Sequence, residues 1–318
     1  MTVVSEEVGA APGQGPILAR SQRELLWRRF KRDRAALGGA ILIAVIVICA
    51  ALADLVSHAL GHGPNQVLGG TLNAFGLPKG PAAHLWFGAD SQGRDLLVRV
   101  LYGGRTSLEI GTGATAVAVA VGTAVGLVAG YFGGVVDSIL SRLSDVFLAL
   151  PLLLISIGIS AACSTTAKGC AGGAVKPGVQ LIVILVALFS WPYVARIVRS
   201  SVLTLREQEF VAAARLSGAS DRWVIVHEIL PNTIGPIIVY STLLIPNNII
   251  FEATLSFLGV GVPDQTPSWG GMLRDASGLF DVAWWLMLFP GLFLVATTLA
   301  FNLVGDGLRD ALDPRSAS

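Results

Sequence analysis

The chain has 318 residues and a formal net charge of +1; 53% of its residues are hydrophobic and 14% are charged. Soluble domains carry roughly a quarter charged residues, so this composition excludes an ordinary soluble domain and requires much apolar surface to face lipid. The sequence contains no basic domain of the kind that binds nucleic acid. We therefore expect an all-α integral membrane protein.

The first 34 residues are predicted to form a cytoplasmic N-terminal tail. Residues 1–21 are rich in Ala, Gly, Pro and Glu, a composition typical of disorder, and basic residues follow them. A cleaved signal peptide is the alternative for the first apolar run, because residues 51–53 (Ala-Leu-Ala) resemble a cleavage site. That run and the segment before it are both longer than a signal peptide favours.

Six apolar windows approach the length of about 20 residues that a transmembrane helix needs. The predicted spans are residues 35–56, 107–130, 138–162, 179–198, 233–258 and 283–304. The segments outside them are predicted loops at residues 57–106, 199–232 and 259–282, and a C-terminal tail at residues 305–318. The five spans from residue 107 to residue 304 are predicted to form one core.

Lysine and arginine residues set the predicted orientation. Seven precede the first span, namely Arg20, Arg23, Arg28, Arg29, Lys31, Arg32 and Arg34. Arginines also recur in the loop of residues 199–232, whereas basic residues are spread thinly over the loops of residues 57–106 and 259–282. Cytoplasmic segments carry the excess of positive charge. Both termini and the 199–232 loop are therefore predicted to be cytoplasmic.

Two cysteines, Cys163 and Cys170, fall in the short predicted outer loop between the third and fourth spans. The outside of a cell membrane is the oxidising side, so we expect a disulfide between them. Two free thiols are the alternative, because only the compartment supports the bond.

The segment from Glu209 to Asn232 is predicted to form two short helices around a turn. Gly218 favours the end of the first helix, since glycine readily takes the left-handed conformation found there. Ser220 is a suitable N-cap for the second helix, and Pro231 is predicted to end it. A short helix with a small-residue face is suited to docking in a groove of another protein; an amphipathic loop lying on lipid headgroups is the alternative.

This segment resembles the EAA loop of ABC importer permeases, in the variant found in dipeptide and oligopeptide permeases. The family pattern is Glu-Ala-Ala, three residues, Gly, and a hydrophobic stretch ending in Leu-Pro. It maps onto Ala212-Ala213-Ala214, Gly218 and Leu230-Pro231, with Ala212 in place of the glutamate. The segments at residues 26–32, 85–108, 189–196 and 255–273 also resemble that family, so the resemblance covers nearly all of residues 23–313.

The resemblance implies a type I ABC importer permease fold in the inner or plasma membrane, with a cytoplasmic coupling helix. It further implies a second homologous permease, two ATP-binding-cassette ATPase domains and an extracytoplasmic binding protein that delivers di- or oligopeptides. The residues it assigns to ATPase docking are Glu209, Phe210, Ala212, Ala213, Ala214, Leu216, Ser217, Gly218, Ala219, Ser220 and Trp223. Nickel chelates, glutathione or another small solute are alternative cargoes, and an autonomous channel or secondary transporter is an alternative of another class.

The sequence also indicates that ATP hydrolysis takes place in partner subunits. A phosphate-binding loop needs Gly-Lys followed by Ser or Thr, and no lysine of this chain follows glycine. No nucleophile–base pair is placed by motif, and no compact metal-ligand spacing occurs. We therefore predict no catalytic, cofactor-binding or metal-binding residue in this chain.

The second span carries small residues at four-residue spacing, among them Gly122, Gly126 and Gly130. Small residues on one helix face allow close helix contact in lipid. This predicted packing face is either a moving interface with the partner permease or static packing within the subunit.

The fifth span contains Asn247, Asn248 and Glu252. Polar groups at membrane depth are costly, so they usually face a cavity or a partner. We expect these three side chains to face the translocation path or its gate. A buried hydrogen bond between helices is the alternative.

Overall fold

A computed structural model describes residues 30–164, 170 and 173–312. The disorder predicted for residues 1–21 lies outside the described residues, as do most of the predicted N-terminal tail and the last six residues of the predicted C-terminal tail.

The described residues form helices joined by loops and a few isolated β-bridges. We number the helices in chain order: α1 Arg34–Ala51, α2 Ala53–Leu60, α3 Leu96–Phe132, α4 Gly134–Ala149, α5 Leu152–Ser164, α6 Val179–Leu205, α7 Glu209–Leu216, α8 Asp221–Phe257, α9 Trp269–Ala276 and α10 Trp285–Leu312. Five of them (α1, α3, α6, α8 and α10) are long and apolar enough to cross a membrane. Helices α4 and α5 make a sixth span when this bent pair is counted as one. The prediction of an all-helical membrane protein with about six spans is confirmed.

The third predicted span is not one straight helix. Helices α4 and α5 meet at 81°, with the break at Leu150 and Pro151. A residue before proline is disfavoured in the helical region, and Leu150 is extended with ψ 137°. The sequence expectation of a single helix over residues 138–162 missed this effect.

Helix α3 is longer than the predicted second span, because it begins at Leu96 rather than near residue 107. Asp95 caps it by accepting hydrogen bonds from the backbone N–H groups of Leu97 (2.8 Å) and Val98 (3.4 Å). The first turns of α3 therefore lie in the segment predicted to be an outer loop, and the helix runs from there to Phe132.

Pro231 does not end a helix, contrary to the sequence prediction. Helix α8 runs from Asp221 to Phe257 and contains a π-helical segment, Val224–Ile229. Proline lacks the N–H that an α-helical hydrogen bond needs. The π segment changes the hydrogen-bond spacing just before Pro231, and the helix continues past it.

The glycine face of α3 packs against α6 of the same subunit. A Cβ atom at Gly122 would lie 2.6 Å from the Trp191 carbonyl oxygen, and one at Gly126 would lie 2.7 Å from that of Ala195. At Gly130 it would lie 2.7 Å from Val202 Cβ. The two backbones therefore approach closely along much of α3. In the structure this glycine face is covered by α6 of the same subunit.

A loop-rich unit covers one end of the helices; we call it the cap and define it as residues 61–95 and 259–284. Its interior holds paired charges: Asp90 accepts a 2.6 Å hydrogen bond from Arg94 Nε and lies 3.3 Å from Arg99 Nε. Arg99 also donates to the Pro64 carbonyl at 3.0 Å and to Asn65 Oδ1 at 2.9 Å. Buried charges need such partners, so these contacts fix the start of α3 within the cap.

Candidate functional site

The loop between α6 and α8 contains the short helix α7, and we call this loop together with the first three residues of α8 (residues 206–223) the coupling loop. Helix α7 ends at Leu216, and Gly218 follows with φ +82°. This left-handed conformation favours glycine because it costs other residues steric strain. Ser220 then caps α8, since its hydroxyl accepts the Trp223 N–H at 3.4 Å. The turn lies where the sequence predicts it.

Helix α7 presents one face to its own subunit and leaves the other exposed. Val211 is fully buried in a cluster with Val224 and Ile229 of the π segment. Leu216, in contrast, is 91% exposed, and Phe210 and Trp223 are also exposed. Exposed apolar side chains on a short helix are typical of a docking surface.

An open groove of about 760 Å³ runs along this exposed face. It is lined by Phe210, Ala213, Ala214, Ser217, Gly218, Ala219, Ser220, Trp223 and Glu228. Among the predicted docking residues, Ala214 and Ala219 are half-buried. Glu209, Ala212 and Leu216 are exposed but do not line the groove. The structure thus brings most of the predicted docking residues together around one surface. Sequence reasoning did not identify Glu228 as a lining residue.

The coupling loop is tied to the nearby end of α3 by side chains that the sequence analysis did not identify. The Tyr131 hydroxyl donates a 2.7 Å hydrogen bond to Asp221 Oδ1, and Arg215 Cζ lies 5.0 Å from the centre of the Tyr131 ring. Arg206 Nη1 donates to the Gly130 carbonyl at 2.9 Å. These pairs are far apart in the chain, so no periodic sequence pattern reveals them.

A second candidate site is a cavity of about 440 Å³ between α5, α6 and α8. Its lining residues are Leu152, Leu153, Val186, Phe189, Ser190, Tyr193, Tyr240, Leu244, Asn247, Asn248, Ile250, Phe251 and Thr254. The lining carries no formal charge, and its polar groups are hydroxyls and amides. Two predicted path residues, Asn247 and Asn248, belong to it, whereas the sequence analysis did not identify the two tyrosines.

The three predicted path residues differ in what they contact. Asn247 is exposed, and its amide donates to the Leu243 carbonyl of its own helix at 2.9 Å. Asn248 is 3% exposed; its Oδ1 accepts from the Ser190 hydroxyl and its Nδ2 donates to Thr115 Oγ1, both at 2.8 Å. Asn248 therefore joins α8 to α6 and to α3.

Glu252 does not line the cavity. It is fully buried, and its carboxyl oxygens accept hydrogen bonds from the hydroxyls of Ser107 (2.9 Å) and Ser256 (2.7 Å). This arrangement corresponds to the alternative of a buried hydrogen bond between helices. The sequence could place Glu252 within a span, but it gave no information on the serine of α3 that faces it.

Two carboxylate–arginine pairs connect α4 with α6. Asp137 pairs with Arg199, and Asp145 lies 2.5 Å from Arg196. These pairs border a cavity of about 370 Å³ next to Gly126 and Ala129 of α3. The two pairs attach α4 to α6 on the side of the helices that faces the coupling loop.

Cys163 and Cys170 are joined by a disulfide, with their Cα atoms 4.9 Å apart. This separation is within the usual range for disulfides. The bond closes the connection after α5 at the cap side of the helices, where the Ser160 hydroxyl donates to the Val260 carbonyl at 2.5 Å. No cluster of three or more potential metal-ligating His, Cys, Asp or Glu side chains occurs in the described part of the chain.

The arrangement of the helices also occurs in a solved structure. One chain of the MetNI methionine ABC transporter, in inward-facing conformations, superposes with a TM-score of 0.53 at 17% sequence identity, over 68% of this chain and 97% of that chain. At this identity the likeness concerns the fold, which is that of a type I ABC importer permease.

The chain belongs to the family of binding-protein-dependent transport system inner membrane components, whose model matches residues 122–318. A second model, the N-terminal TM domain of oligopeptide transport permease C, matches residues 21–67. The family identifies the chain as a membrane transport component with several helices in the inner membrane.

The relatives that match most of the chain include three transport permeases. The oligopeptide transport system permease protein OppC of Escherichia coli (strain K12) is 41% identical, over 91% of this chain and 89% of that protein. The dipeptide transport system permease protein DppC of Alkalihalophilus pseudofirmus is 36% identical, over 99% and 97%. The glutathione transport system permease protein GsiD of Shigella flexneri serotype 5b is 40% identical, over 97% and 95%.

Proposed function

We propose that this chain is one of two homologous permease subunits of an ATP-driven importer of di- and oligopeptides. In this proposal two ATPase domains bind the coupling loop, and an extracytoplasmic binding protein delivers peptide to the cap side. The observation that carries the ATPase assignment is the exposed groove beside α7, bounded by Phe210 and Trp223. ATP and Mg²⁺ bind in the partner subunits, and the permease pair alternates access to the path.

The proposed orientation places the cap outside the cell and the coupling loop in the cytoplasm, together with both termini. The arginines of the 199–232 loop support this orientation through the excess of positive charge on the cytoplasmic side. The Cys163–Cys170 disulfide lies at the cap side, and disulfides persist in oxidising compartments. The charge pattern and the disulfide are independent, and they favour the same orientation.

The proposed path includes the cavity between α5, α6 and α8. Its tyrosine hydroxyls and the exposed Asn247 amide suit the main chain of a peptide, which offers both hydrogen-bond donors and acceptors. A lining without formal charge does not select for or against charged peptide side chains. The names of the oligopeptide and dipeptide relatives support the same cargo class.

Affinity purification of the chain from its native membrane tests the assembly. We expect a second permease, an ATPase and a binding protein to be recovered with it. Gly218→Asp should remove the ATPase selectively, because an aspartate side chain at φ +82° strains the turn and adds charge to the groove.

Gly61→Asp is the matched control, since Gly61 has φ +76° and the same open surroundings but lies in the cap. Retention of the ATPase by Gly218→Asp, or its equal loss in both variants, would contradict docking at this loop.

Glutathione import is the second candidate, because a relative 40% identical over 97% of this chain is named as a glutathione permease. The purified complex in vesicles, with its binding protein, should import radiolabelled trialanine only when ATP is supplied. Inhibition of that import by excess oligopeptide but not by glutathione would favour the peptide proposal. Uptake by the permease without ATPase subunits would instead favour a channel or secondary transporter.

A further inference from the structure

The end of α3 nearest the coupling loop is where the loop meets the helical core. Tyr131 is the second-last residue of α3, which ends at Phe132, and only 6% of the Tyr131 surface is exposed. Its ring packs in the main apolar cluster, and its hydroxyl reaches out to Asp221. One side chain therefore contacts both the core and the coupling loop.

Tyr131 contacts both sides of the turn that contains Gly218. Arg215 belongs to the last turn of α7, and its guanidinium stacks over the Tyr131 ring at 5.0 Å. Asp221 is the first residue of α8, and it accepts the 2.7 Å hydrogen bond of the hydroxyl. A displacement of the turn must therefore move the Tyr131 side chain or break these two contacts.

The remainder of α3 is suited to carry such a displacement onward. At Gly122 and Gly126 the backbones of α3 and α6 lie so close together that even an added Cβ atom would not fit, and such close-packed contacts transmit displacement. The other end of α3 is fixed in the cap by Asp90 and Arg99. Helices α3 and α6 therefore behave as one stiff unit that extends from the coupling loop to the cap.

We propose that Tyr131 is a positioning residue that links the coupling loop to the α3–α6 unit, through its hydrogen bond to Asp221 and its ring contact with Arg215. The inference rests on the proposed function, because it concerns how ATPase movement reaches the path. Tyr131 contacts neither ATP nor peptide. It keeps the loop in register with α3, so that a movement of the loop becomes a movement of the helices.

The first test compares Tyr131→Phe with Tyr102→Phe in the assembled transporter in vesicles. Tyr131→Phe keeps the ring and its contact with Arg215 but removes the hydrogen bond to Asp221. Tyr102→Phe is the matched control at the other end of the same helix, where the Tyr102 hydroxyl donates to Asp54 at 2.5 Å. The readout is the number of ATP molecules hydrolysed per radiolabelled trialanine imported in the presence of the binding protein.

Tyr131→Phe should raise this ratio by about fivefold or more, the lower range of coupling between distant sites, while ATP hydrolysis itself persists. Tyr102→Phe should leave the ratio at the wild-type value. A parallel loss of hydrolysis and import in Tyr131→Phe, with an unchanged ratio, would overturn the proposal, because a merely structural contact predicts that result.

The second test is a double-mutant cycle on Tyr131 and Asp221. Asp221→Ala should reproduce the ratio of Tyr131→Phe, and the double variant should be no worse than either single one, since both remove the same bond. Asp221→Asn retains an acceptor oxygen, so the number of ATP molecules hydrolysed per trialanine imported should stay close to the wild-type value. Additive effects in the double variant would overturn the link.

Measurements on the wild-type complex distinguish a failure of the proposed function from a failure of the Tyr131 link. Absence of ATP-dependent trialanine import by the wild type would overturn the proposed function, and the link with it. Normal import by the wild type, with an unchanged ratio in Tyr131→Phe, would overturn the link alone.

Discussion

The two ends of α3 are held in different ways. At the cap end, buried carboxylates and arginines pair with one another and with backbone carbonyls from distant segments. At the coupling-loop end, the contacts described above are made by four side chains: Arg206, Arg215, Asp221 and Tyr131. A buried network of charges tolerates little change, whereas removing one of a few separate contacts costs less. The difference indicates that a substitution destabilises the protein more at the cap end than at the loop end.

The largest expected effect comes from breaking the cap end. Asp90→Ala would leave Arg94 and Arg99 buried without their carboxylate, and removing one partner of a buried pair costs about 3–5 kcal/mol. We expect a large fall in the midpoint of thermal denaturation of the detergent-purified protein, with low expression. A midpoint close to wild type would mean that the cap end is no more firmly held than the loop end.

The next prediction concerns the contact between α3 and α6, which lies between these two ends. Gly126→Ala places a methyl group 2.7 Å from the Ala195 carbonyl oxygen, and overpacking of this kind costs about 1–3 kcal/mol. Gly113→Ala on the same helix is the control, since its Cβ would lie 3.7 Å from the nearest atom, in Val183. A lower denaturation midpoint for Gly126→Ala alone is expected; equal midpoints would show that α3 and α6 can separate.

The middle of α3 is tested through Asn248. Asn248→Leu removes the hydrogen-bond partner of the buried Ser190 hydroxyl and of Thr115, at a cost of about 1–3 kcal/mol. Asn247→Leu should leave the denaturation midpoint unchanged, because that amide is exposed and bonds only to its own helix. A lower midpoint for Asn247→Leu than for Asn248→Leu would contradict the placement of these two residues.

Asn247→Leu also tests the proposed path. In vesicles it should lower trialanine uptake, because Asn247 lines the cavity that we propose as part of the path.

The smallest effect is expected at the loop end. Arg206→Ala removes the bond to the Gly130 carbonyl, and a cation at a helix C-terminus contributes about 0.3–1 kcal/mol. Arg196→Ala, which breaks the exposed pair with Asp145, should cost about 0–1 kcal/mol. Both shifts in denaturation midpoint should be well below that of Asp90→Ala. A shift as large as that of Asp90→Ala would remove the contrast between the two ends.

The sequence predicts the parts of this fold that depend on local composition. The apolar windows locate the long helices, and Gly218 and Ser220 locate the turn of the coupling loop, because φ preferences and capping are local properties. The broken helix at Pro151 was also a local signal, but a long apolar window masked it. The length of α3 was underestimated because polar residues such as Arg99 and Arg105 end an apolar window without ending a helix.

The parts that the sequence did not predict depend on residues brought together from distant segments. Glu252 meets Ser107, and Tyr131 meets Asp221, only after the helices have packed. Their spacing in the chain follows no helical period. A polar residue in a span therefore indicates that a partner exists, but the identity of that partner requires the packed structure.

The Cys163–Cys170 disulfide also has a consequence for following the biogenesis of the protein. Its formation requires an oxidising compartment, so in the proposed orientation it forms only after the loop between α5 and α6 has crossed the membrane. Alkylation of free thiols in intact cells, followed by reduction and a mass-tagging reagent, would distinguish chains whose loop has reached the outside from chains whose loop has not. The presence of this disulfide in a given chain therefore reports that the loop between α5 and α6 has been inserted across the membrane.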